Sequence, residues 1–366
     1  MKRLSIFQRK WRLSALAAIA LSTASLLLLA VGCATKPPSK VTYTFFPPPP
    51  DEPRIQFLTS FSSDADIGRR SSFAEFVTGN ASGQNALVKP YGLALKDGRV
   101  YVCDTMASAM MIFDFAKKRV RYLAPKGEGR LQTPINITID ADGTRYIADT
   151  GRGQVLIFDK NDQFIDAIGT KEEMRPCDVA LAADRLYVAD VKGHAVRVYN
   201  KADRKFLFTI PGDAKAEQGK LLSPTNLAID QNGRLLVSDI GAFDVNVYDL
   251  EGKYLRTIGQ QGVAPGLFAR PKGVAVDRAG LTYVVDAATQ VAQVFDAQGK
   301  LLLFFGQPGA STRGELSLPA GVEIDYDNVR LFQSQVAPGY KCEYLILVTN
   351  QTGPQKVNVY GFLKKK

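Results

Sequence analysis

Between residues 88 and 363, short apolar segments alternate with turn-forming residues in a pattern that occurs six times. Each copy opens at a proline followed by a segment such as PINITID or PKGVAVD. The prolines are 42–48 residues apart, at Pro90, Pro134, Pro176, Pro224, Pro271 and Pro319. Self-similarity at a period of this length is typical of solenoid and propeller architectures.

Each copy contains four strand-like segments. The second ends in an aspartate 14 or 15 residues after the first five prolines, as in RVYVCD and RLYVAD. A third segment ends in an aromatic residue plus Asp or Asn, and a fourth follows, such as YLRTIG. Four short strands separated by turns are the pattern of one propeller blade. The sequence therefore predicts an all-β protein that is a six-bladed β-propeller.

The sixth copy is irregular in a way that predicts how the ring closes. It carries an insertion of about 16 residues after Asp325, which is long for a blade turn. Asn350 takes the aspartate position, and no fourth strand follows before the end of the chain. Upstream of blade one, however, PRIQFLTSF (53–61) has the pattern of a fourth strand. We expect residues 54–61 to complete blade six, which removes open sheet edges.

The repeat resembles the NHL repeat in the combination of its parts. The residues that carry the resemblance are PKGVAVD, the preceding GQQGVAPGLFARP, and an Asp-ended strand followed by one ending in Phe/Tyr-Asp. The resemblance covers residues 88–363 plus the closing strand. It implies a six-bladed NHL-type propeller, a fold used mostly as an interaction platform. The sequence has no Trp-Asp dipeptide and lacks Gly-Gly pairs, which excludes WD and kelch repeats.

The first 32 residues read as a lipoprotein signal peptide. A basic segment, MKRLSIFQRKWR, precedes a 20-residue apolar run that ends at Cys33. AVGC (30–33) resembles the lipobox of bacterial lipoproteins, although Ala30 stands where that family prefers Leu. The resemblance implies cleavage before Cys33 and a diacylglyceryl group that anchors the protein in a membrane. The alternative is an uncleaved signal anchor, because 20 apolar residues can span a bilayer as a helix.

A proline-rich segment separates the anchor from the repeats. Residues 33–53 contain seven prolines, and such runs favour an extended chain of about 3.1 Å per residue. We predict a semi-rigid tether over 33–53 and the propeller over 54–366. Ala34, by the sorting rule of enteric lipoproteins, implies the outer membrane. The predicted location is the cell envelope, with the protein held by its lipid.

Charge and cysteine content exclude several classes of partner. The net charge is +10, but residues 1–32 hold five basic residues and no acidic one, so the remainder has 41 basic against 36 acidic residues, a net charge of +5. Without a basic block beyond the C-terminal lysines, nucleic acid is not an expected partner. No CxxCH motif is present, so no haem of its own is expected. Cys103, Cys177 and Cys342 are an odd number, which leaves at least one free thiol.

Most conspicuous polar residues fall on repeat positions, which predicts structural roles. The strand-ending aspartates are Asp104, Asp149, Asp190, Asp239 and Asp286. A carboxylate before a short turn is placed to accept backbone N–H groups. His194, the single histidine, also lies at a repeat position, and no catalytic residue is predicted.

Departures from the repeat identify a candidate site at the axis. Two residues after each proline the chain reads Gly92, Asn136, Asp178, Asn226, Gly273 and Gly321. Glu323 adds a carboxylate in blade six. Oxygen ligands that converge on the axis could hold Ca²⁺, and the set Asn136, Asp178, Asn226 and Glu323 resembles gluconolactonase-type and paraoxonase-type propellers, in which such residues bind a catalytic divalent metal. Their flanking motifs are absent here, and hydrogen bonding between strand ends is the alternative.

Two functional hypotheses follow. The first is a non-enzymatic binding scaffold for a protein, peptide or glycan partner in the envelope. Similar lipoproteins occur beside envelope export and multihaem cytochrome systems, so the resemblance implies a role in export or extracellular cytochrome assembly. The second is a divalent-metal-dependent hydrolase or lyase of lactonase or streptogramin-lyase type at the central channel. Partner contacts are expected in the atypical loops, which are 64–86, 211–223, 259–270, 306–318 and 326–343.

Overall fold

The computed structural model describes residues 42–67, 85–212 and 217–366. The predicted signal peptide, Cys33 and the first part of the tether lie outside the described residues. Within the described ranges, the chain forms six antiparallel sheets. No helix in these ranges is long and apolar enough to cross a membrane.

The strands follow the six-copy pattern in chain order. Two strands precede blade one: β1 (Thr44–Phe46) and β2 (Ile55–Phe61). Blade one contains β3 (Pro90–Lys96), β4 (Arg99–Asp104), β5 (Ala109–Asp114) and β6 (Arg119–Leu123). Blade two contains β7 (Pro134–Ile139), β8 (Arg145–Asp149), β9 (Gln154–Phe158) and β10 (Phe164–Ile168). Blade three contains β11 (Pro176–Ala182), β12 (Arg185–Asp190), β13 (Ala195–Asn200) and β14 (Phe206–Ile210).

The remaining blades continue the order. Blade four contains β15 (Pro224–Ile229), β16 (Arg234–Asp239), β17 (Asp244–Asp249) and β18 (Tyr254–Ile258). Blade five contains β19 (Pro271–Val276), β20 (Thr282–Asp286), β21 (Val291–Phe295) and β22 (Leu301–Phe305). Blade six is built on β23 (Pro319–Asp325), β24 (Tyr340–Asn350) and β25 (Val357–Lys365). Short 3₁₀ turns occupy Asp64–Ile67, Gly127–Gly129, Val329–Leu331 and Gln333–Gln335.

The ring closes through the N-terminal strand, as the sequence predicts. β2 pairs antiparallel with β25, from Ile55 opposite Phe362 to Phe61 opposite Val357. The first strands of neighbouring blades contact one another around the axis, including β23 of blade six with β3 of blade one. At that seam the Thr349 hydroxyl of blade six donates to the Tyr91 carbonyl of blade one. The protein is therefore a closed six-bladed β-propeller.

The hydrophobic core lies between the blades. Six clusters of buried apolar side chains each join two neighbouring sheets. The cluster between blades six and one includes Leu58 and Phe61 of β2, which are 1% and 2% exposed. The alternation of apolar and polar residues in each strand supplies these faces. The closing strand is therefore a part of the core.

Two boundaries differ from the sequence-based prediction. The tether was expected to run to residue 53, but Thr44–Phe46 forms a fifth strand of blade six, paired with β2. Phe46 packs on Phe305 and Tyr360, and these aromatic contacts explain why the segment joins the sheet. The predicted loop 326–343 is also shorter, because β24 begins at Tyr340.

The rest of the blade-six insertion is packed against the propeller. Phe332 is 2% exposed and lies 5.2 Å from the Phe115 ring. Asn328 accepts a hydrogen bond from the Gly98 N–H, at 2.8 Å, which links the insertion to blade one. The insertion therefore contributes to the seam between blades six and one, which a repeat alignment alone does not reveal.

The strand-ending aspartates have the structural role expected of them. The carboxylate of Asp104 accepts backbone N–H groups from Val88 and Lys89 before blade one, and from Met106 and Ala107 in the next turn. The other copies, Asp149, Asp190, Asp239 and Asp286, are likewise fully buried and accept backbone N–H groups. Each carboxylate therefore joins two loops of its blade.

The histidine and the cysteines add no reactive cluster. His194 is exposed and lies in a turn with a φ of +53°. Its ring contacts the Leu222 carbonyl. Cys103, Cys177 and Cys342 are free thiols. Cys103 and Cys342 are buried and Cys177 is half-buried, and loss of hydration raises the pKa of all three thiols, which keeps them protonated and poorly nucleophilic.

Candidate functional site

A small polar cavity lies on the propeller axis. The first strands of all six blades line it, and four of them bring Asn136, Asp178, Asn226 and Glu323 to its wall, together with Gly273 and Gly321. The structure thus places together the four residues that the sequence singles out. The cavity volume is about 60 Å³, far below the roughly 300–1,000 Å³ of a small-molecule site. It has room for an ion or a few water molecules.

Glycine and polar side chains share the ring around this cavity for a steric reason. A Cβ on Gly273 would lie 2.7 Å from the Val322 nitrogen, and one on Gly321 would lie 2.6 Å from the Tyr91 oxygen. The backbones of blades five, six and one therefore approach too closely for any side chain. The Asn136 side chain leans over Gly92 of blade one. The side chains of blades two to four thus fill the centre of the ring.

Asp178 is the most constrained member of the set. One carboxylate oxygen accepts the Val179 N–H at 2.7 Å, and the other accepts the Leu227 N–H of blade four at 2.9 Å. Asp178 is 5% exposed. It therefore links blades three and four, which supports the hydrogen-bonding interpretation of this residue.

Asn226 has an unsatisfied oxygen. Its Oδ1 atom is buried and accepts no hydrogen bond from any described residue. A buried carbonyl oxygen without a donor costs free energy of about 1–3 kcal/mol. Such an atom is explained by a bound cation or an ordered water in the cavity.

The two carboxyl groups in the cavity wall, Asp178 and Glu323, have raised pKa values. Burial raises the pKa of Asp178 from 3.8 to about 7, although backbone N–H groups and the amides of Asn136 and Asn226 offset part of the shift. Burial, with the charges of Asp325 and Asp178, raises the pKa of Glu323 from 4.5 to about 8. Carboxyl groups that titrate near neutral pH can exchange protons with a ligand.

These shifts predict a pH-dependent stability. Because both folded-state pKa values are raised, the folded protein holds protons that the unfolded chain releases between about pH 4 and pH 8. Stability from these groups is therefore complete below about pH 4 and falls as pH rises to about 8. Glu323→Gln keeps the side chain neutral, so its melting temperature should exceed that of the wild type by about 2–5 °C at pH 9 and much less at pH 5.

Thermal unfolding followed by circular dichroism at pH 5, 7 and 9 measures this difference. Glu128→Gln is the matched control, because Glu128 lies in an exposed turn outside the cavity. A difference between Glu323→Gln and the wild type that stays constant from pH 5 to pH 9 would contradict the raised pKa.

The mouth of the channel contains residues that the sequence analysis did not identify. One residue after each proline the chain reads Tyr91, Ile135, Cys177, Thr225, Lys272 and Ala320. The Lys272 ammonium lies 4.9 Å from the centre of the Tyr91 ring, although blade six separates their blades. The two side chains therefore meet past blade six, each one residue before the glycine of its blade on the axial ring, and we refer to this end of the channel as its mouth. A lysine among apolar and small residues at this repeat position is the signal that could have identified the mouth.

The oxygen atoms of the cavity are of the kind that binds a hard cation, but only two of the side chains that carry them are carboxyl groups. Among the described residues, no three His, Cys, Asp or Glu side chains form a group that could hold a metal ion. Asp178 and Glu323 with the amide oxygens of Asn136 and Asn226 nevertheless provide the oxygen ligands that Ca²⁺ takes in proteins.

Comparison with known proteins places the chain by fold. No protein-family model matches it. Protein brain tumor of Drosophila melanogaster is 28% identical over 143 residues, a match that covers 36% of this chain and only 13% of that protein. This local match supports the NHL-type repeat that the sequence predicts.

Solved structures agree on the architecture at low sequence identity. A structural genomics protein of unknown function from Bacteroides thetaiotaomicron superposes with a TM-score of 0.59 at 14% identity, covering 85% of this chain and 76% of that one. A gluconolactonase from Xanthomonas campestris gives 0.54 at 15% identity, covering 91% and 100%. A streptogramin B lyase gives 0.50 at 12% identity, covering 76% and 84%. These likenesses agree with the all-β, six-bladed propeller that the six sheets form.

Proposed function

We propose that this protein is a lipid-anchored, non-enzymatic binding module of the cell envelope, held at the outer membrane, for a protein or peptide partner. The lipid anchor rests on the lipobox-like AVGC at 30–33. Incorporation of labelled palmitate that is lost in Cys33→Ala would support the anchor, whereas palmitate-free protein that stays in the membrane would indicate an uncleaved signal anchor.

The observation that carries the binding role is an exposed apolar patch on blade five, formed by Val263, Leu302 and Phe304. These side chains are 78%, 51% and 50% exposed. Leu302 and Phe304 point to the same side of the outer strand β22, because side chains two apart share a face. Val263 and Phe304 border a shallow pocket of about 170 Å³. Contiguous exposed apolar surface of this kind is typical of protein interaction sites.

The edge of blade five also offers unpaired backbone. Within the part of the chain that the structure describes, β22 pairs with β21 alone, so its outer side can accept another strand. On blade six the same outer position is already occupied, because Thr44–Phe46 adds to β2. An extended apolar segment of a partner could add to β22 in the same manner, with backbone hydrogen bonds for affinity and the patch for side-chain contacts.

The central channel is a poor place for an organic substrate in this conformation. The cavity holds about 60 Å³, and at the mouth the Lys272 ammonium lies 4.9 Å from the centre of the Tyr91 ring. His194, the single histidine, lies outside the cavity wall. These features favour binding over catalysis.

A photo-crosslinking amino acid at position 263 tests the patch in intact cells. We expect a specific crosslinked adduct that disappears in Phe304→Asp, because a buried charge opposes apolar docking. Leu207→Asp is the matched control, since Leu207 is 44% exposed on the outer strand of blade three. Its adduct should be retained.

The composition of the adduct shows whether the partner belongs to envelope export or to cytochrome assembly. No adduct with the wild type, or one of equal intensity in Phe304→Asp, would contradict the proposal. Loss of the adduct in both Phe304→Asp and Leu207→Asp would indicate a general folding defect, and it too would contradict a specific patch on blade five.

A second candidate function is favoured by the unsatisfied Asn226 Oδ1 atom. In a metal-dependent hydrolase or lyase, Asp178 and Glu323 would hold a divalent cation with the amide oxygens of Asn136 and Asn226. Such an ion supplies Lewis-acid polarisation of a carbonyl oxygen. Glu323, whose pKa is about 8 in the empty cavity, would have to release its proton when the cation binds. Tyr91 and Lys272 would have to move for a substrate to enter.

Calorimetric titration with Ca²⁺ separates the two functions. The enzyme candidate requires saturable binding that is lost in the double variant Asp178→Asn/Glu323→Gln. No heat of binding, together with an unchanged melting temperature in chelator, removes it and leaves the binding module.

A further inference from the structure

Lys272 carries a buried ammonium group that forms no ion pair with any of the described residues. Its side chain is 5% exposed, and its polar contact is the Gln351 side-chain oxygen, at a long 3.4 Å. None of the ion pairs among the described residues includes Lys272. Burying an unpaired charge is costly unless a partner neutralises it. The position therefore indicates a ligand of opposite charge.

Further positive charge surrounds this position. The residues directly before the six prolines read Lys89, Thr133, Arg175, Ser223, Arg270 and Leu318. The basic ones alternate around the ring, in blades one, three and five. Their backbone N–H groups are fixed by Asp104, Asp190 and Asp286, so the three side chains leave from equivalent points of the rim.

Burial and the neighbouring positive charges all lower the pKa of Lys272. Burial, with the positive charges of Arg270 and Lys89, lowers the pKa of Lys272 to about 8. No carboxylate of the described residues is among the causes of this shift. Burial raises the pKa values of Asp178 and Glu323 in the cavity wall to about 7 and about 8, so these two groups carry less than their full negative charge at neutral pH.

We propose that the mouth of the channel binds an oxyanion, a carboxylate or phosphate group, through the Lys272 ammonium with Arg270 and Lys89 at its rim. Charge-assisted hydrogen bonds from ammonium and guanidinium groups to such oxygens are strong. The anion would replace the missing counter-charge above Tyr91. This site lies on the channel axis and is separate from the apolar patch on blade five.

Binding is measured on the full chain by calorimetry, with inorganic phosphate and with succinate as separate probes at constant ionic strength set by sodium chloride. We expect saturable binding of at least one probe and a matching rise in melting temperature. The two arms distinguish a phosphate ligand from a carboxylate ligand. Lys272→Met should lower the affinity by about tenfold or more.

The matched control is Lys253→Met, because Lys253 is exposed in a turn after β17, and it should bind as the wild type does. Lys272→Met removes an unpaired buried charge, so without anion it should be at least as stable as the wild type. If that variant fails to fold, Arg270→Gln, at an exposed position, should weaken binding in its place. Equal affinity in Lys272→Met or Arg270→Gln, or no response of the wild type beyond that to sodium chloride, would overturn the proposal.

Discussion

A chain that begins at residue 62 is expected to lose cooperative folding, whereas one that begins at residue 43 should unfold in a single transition. The first chain lacks β2, whose Ile55, Phe57, Leu58 and Phe61 are at most 3% exposed. Each such side chain contributes about 1.5–3 kcal/mol on burial, and a whole domain has only about 5–15 kcal/mol of net stability. Loss of the strand also leaves β25 as an open edge.

Thermal unfolding of three chains, which begin at residues 43, 52 and 62, measures the effect. The chain from 52 loses only β1, whose residues are half-buried, and should remain folded with a slightly lower melting temperature. A synthetic peptide of residues 52–63 should restore a transition to the shortest chain by occupying the edge of β25. Equal melting temperatures for the chains from 43 and 62 would show that β2 does not close the ring.

A single substitution gives the same test in the full chain. Leu58→Ala removes a side chain from the cluster between blades six and one, and such a change in a core costs about 2–5 kcal/mol. Leu255→Ala is the control, because Leu255 is 43% exposed on the outer strand of blade four. The control should change stability little.

The repeat made the architecture predictable from sequence, for a physical reason. Every blade buries the same faces and bonds the same loops, so prolines, strand-ending aspartates and glycines recur at fixed positions. The lone strand at 54–61 could be assigned because blade six lacked one. Thr44–Phe46 was missed because it occurs once, within a proline-rich segment, and joins the sheet through aromatic contacts with Phe305 and Tyr360.

The candidate site was predictable only in part. Asn136, Asp178, Asn226 and Glu323 depart from the repeat at positions that face the axis, and departures of this kind are visible in an alignment of the copies. Lys272 also departs from the repeat, but its significance depends on its burial and on the ring of Tyr91. These are contacts between blades five and one, which sequence spacing does not provide.

Asp286→Ala is expected to destabilise the propeller by about 3–5 kcal/mol, far more than removal of an aspartate in a solvent-exposed turn. The carboxylate accepts N–H groups from Ala269 and Arg270 at 2.7 and 3.0 Å, and from Ala288 and Thr289 at 2.8 and 3.0 Å. Asp286 is 0% exposed. Its removal leaves four buried N–H donors without an acceptor.

Urea unfolding at pH 7 measures the difference, with Asp296→Ala as the control. Asp296 ends the next strand and accepts two N–H groups, from Gln298 and Lys300, in an exposed turn, so water replaces its hydrogen bonds at a cost of about 1 kcal/mol. The destabilisation by Asp286→Asn should lie between those of Asp286→Ala and Asp296→Ala. One side-chain oxygen remains as an acceptor, but the new amide group faces N–H donors. In blade six the equivalent residue is Asn350, whose amide group donates to the Gln355 carbonyl. If Asp286→Ala is no less stable than Asp296→Ala, the carboxylate does not join the loops that hold Arg270 at the mouth of the channel.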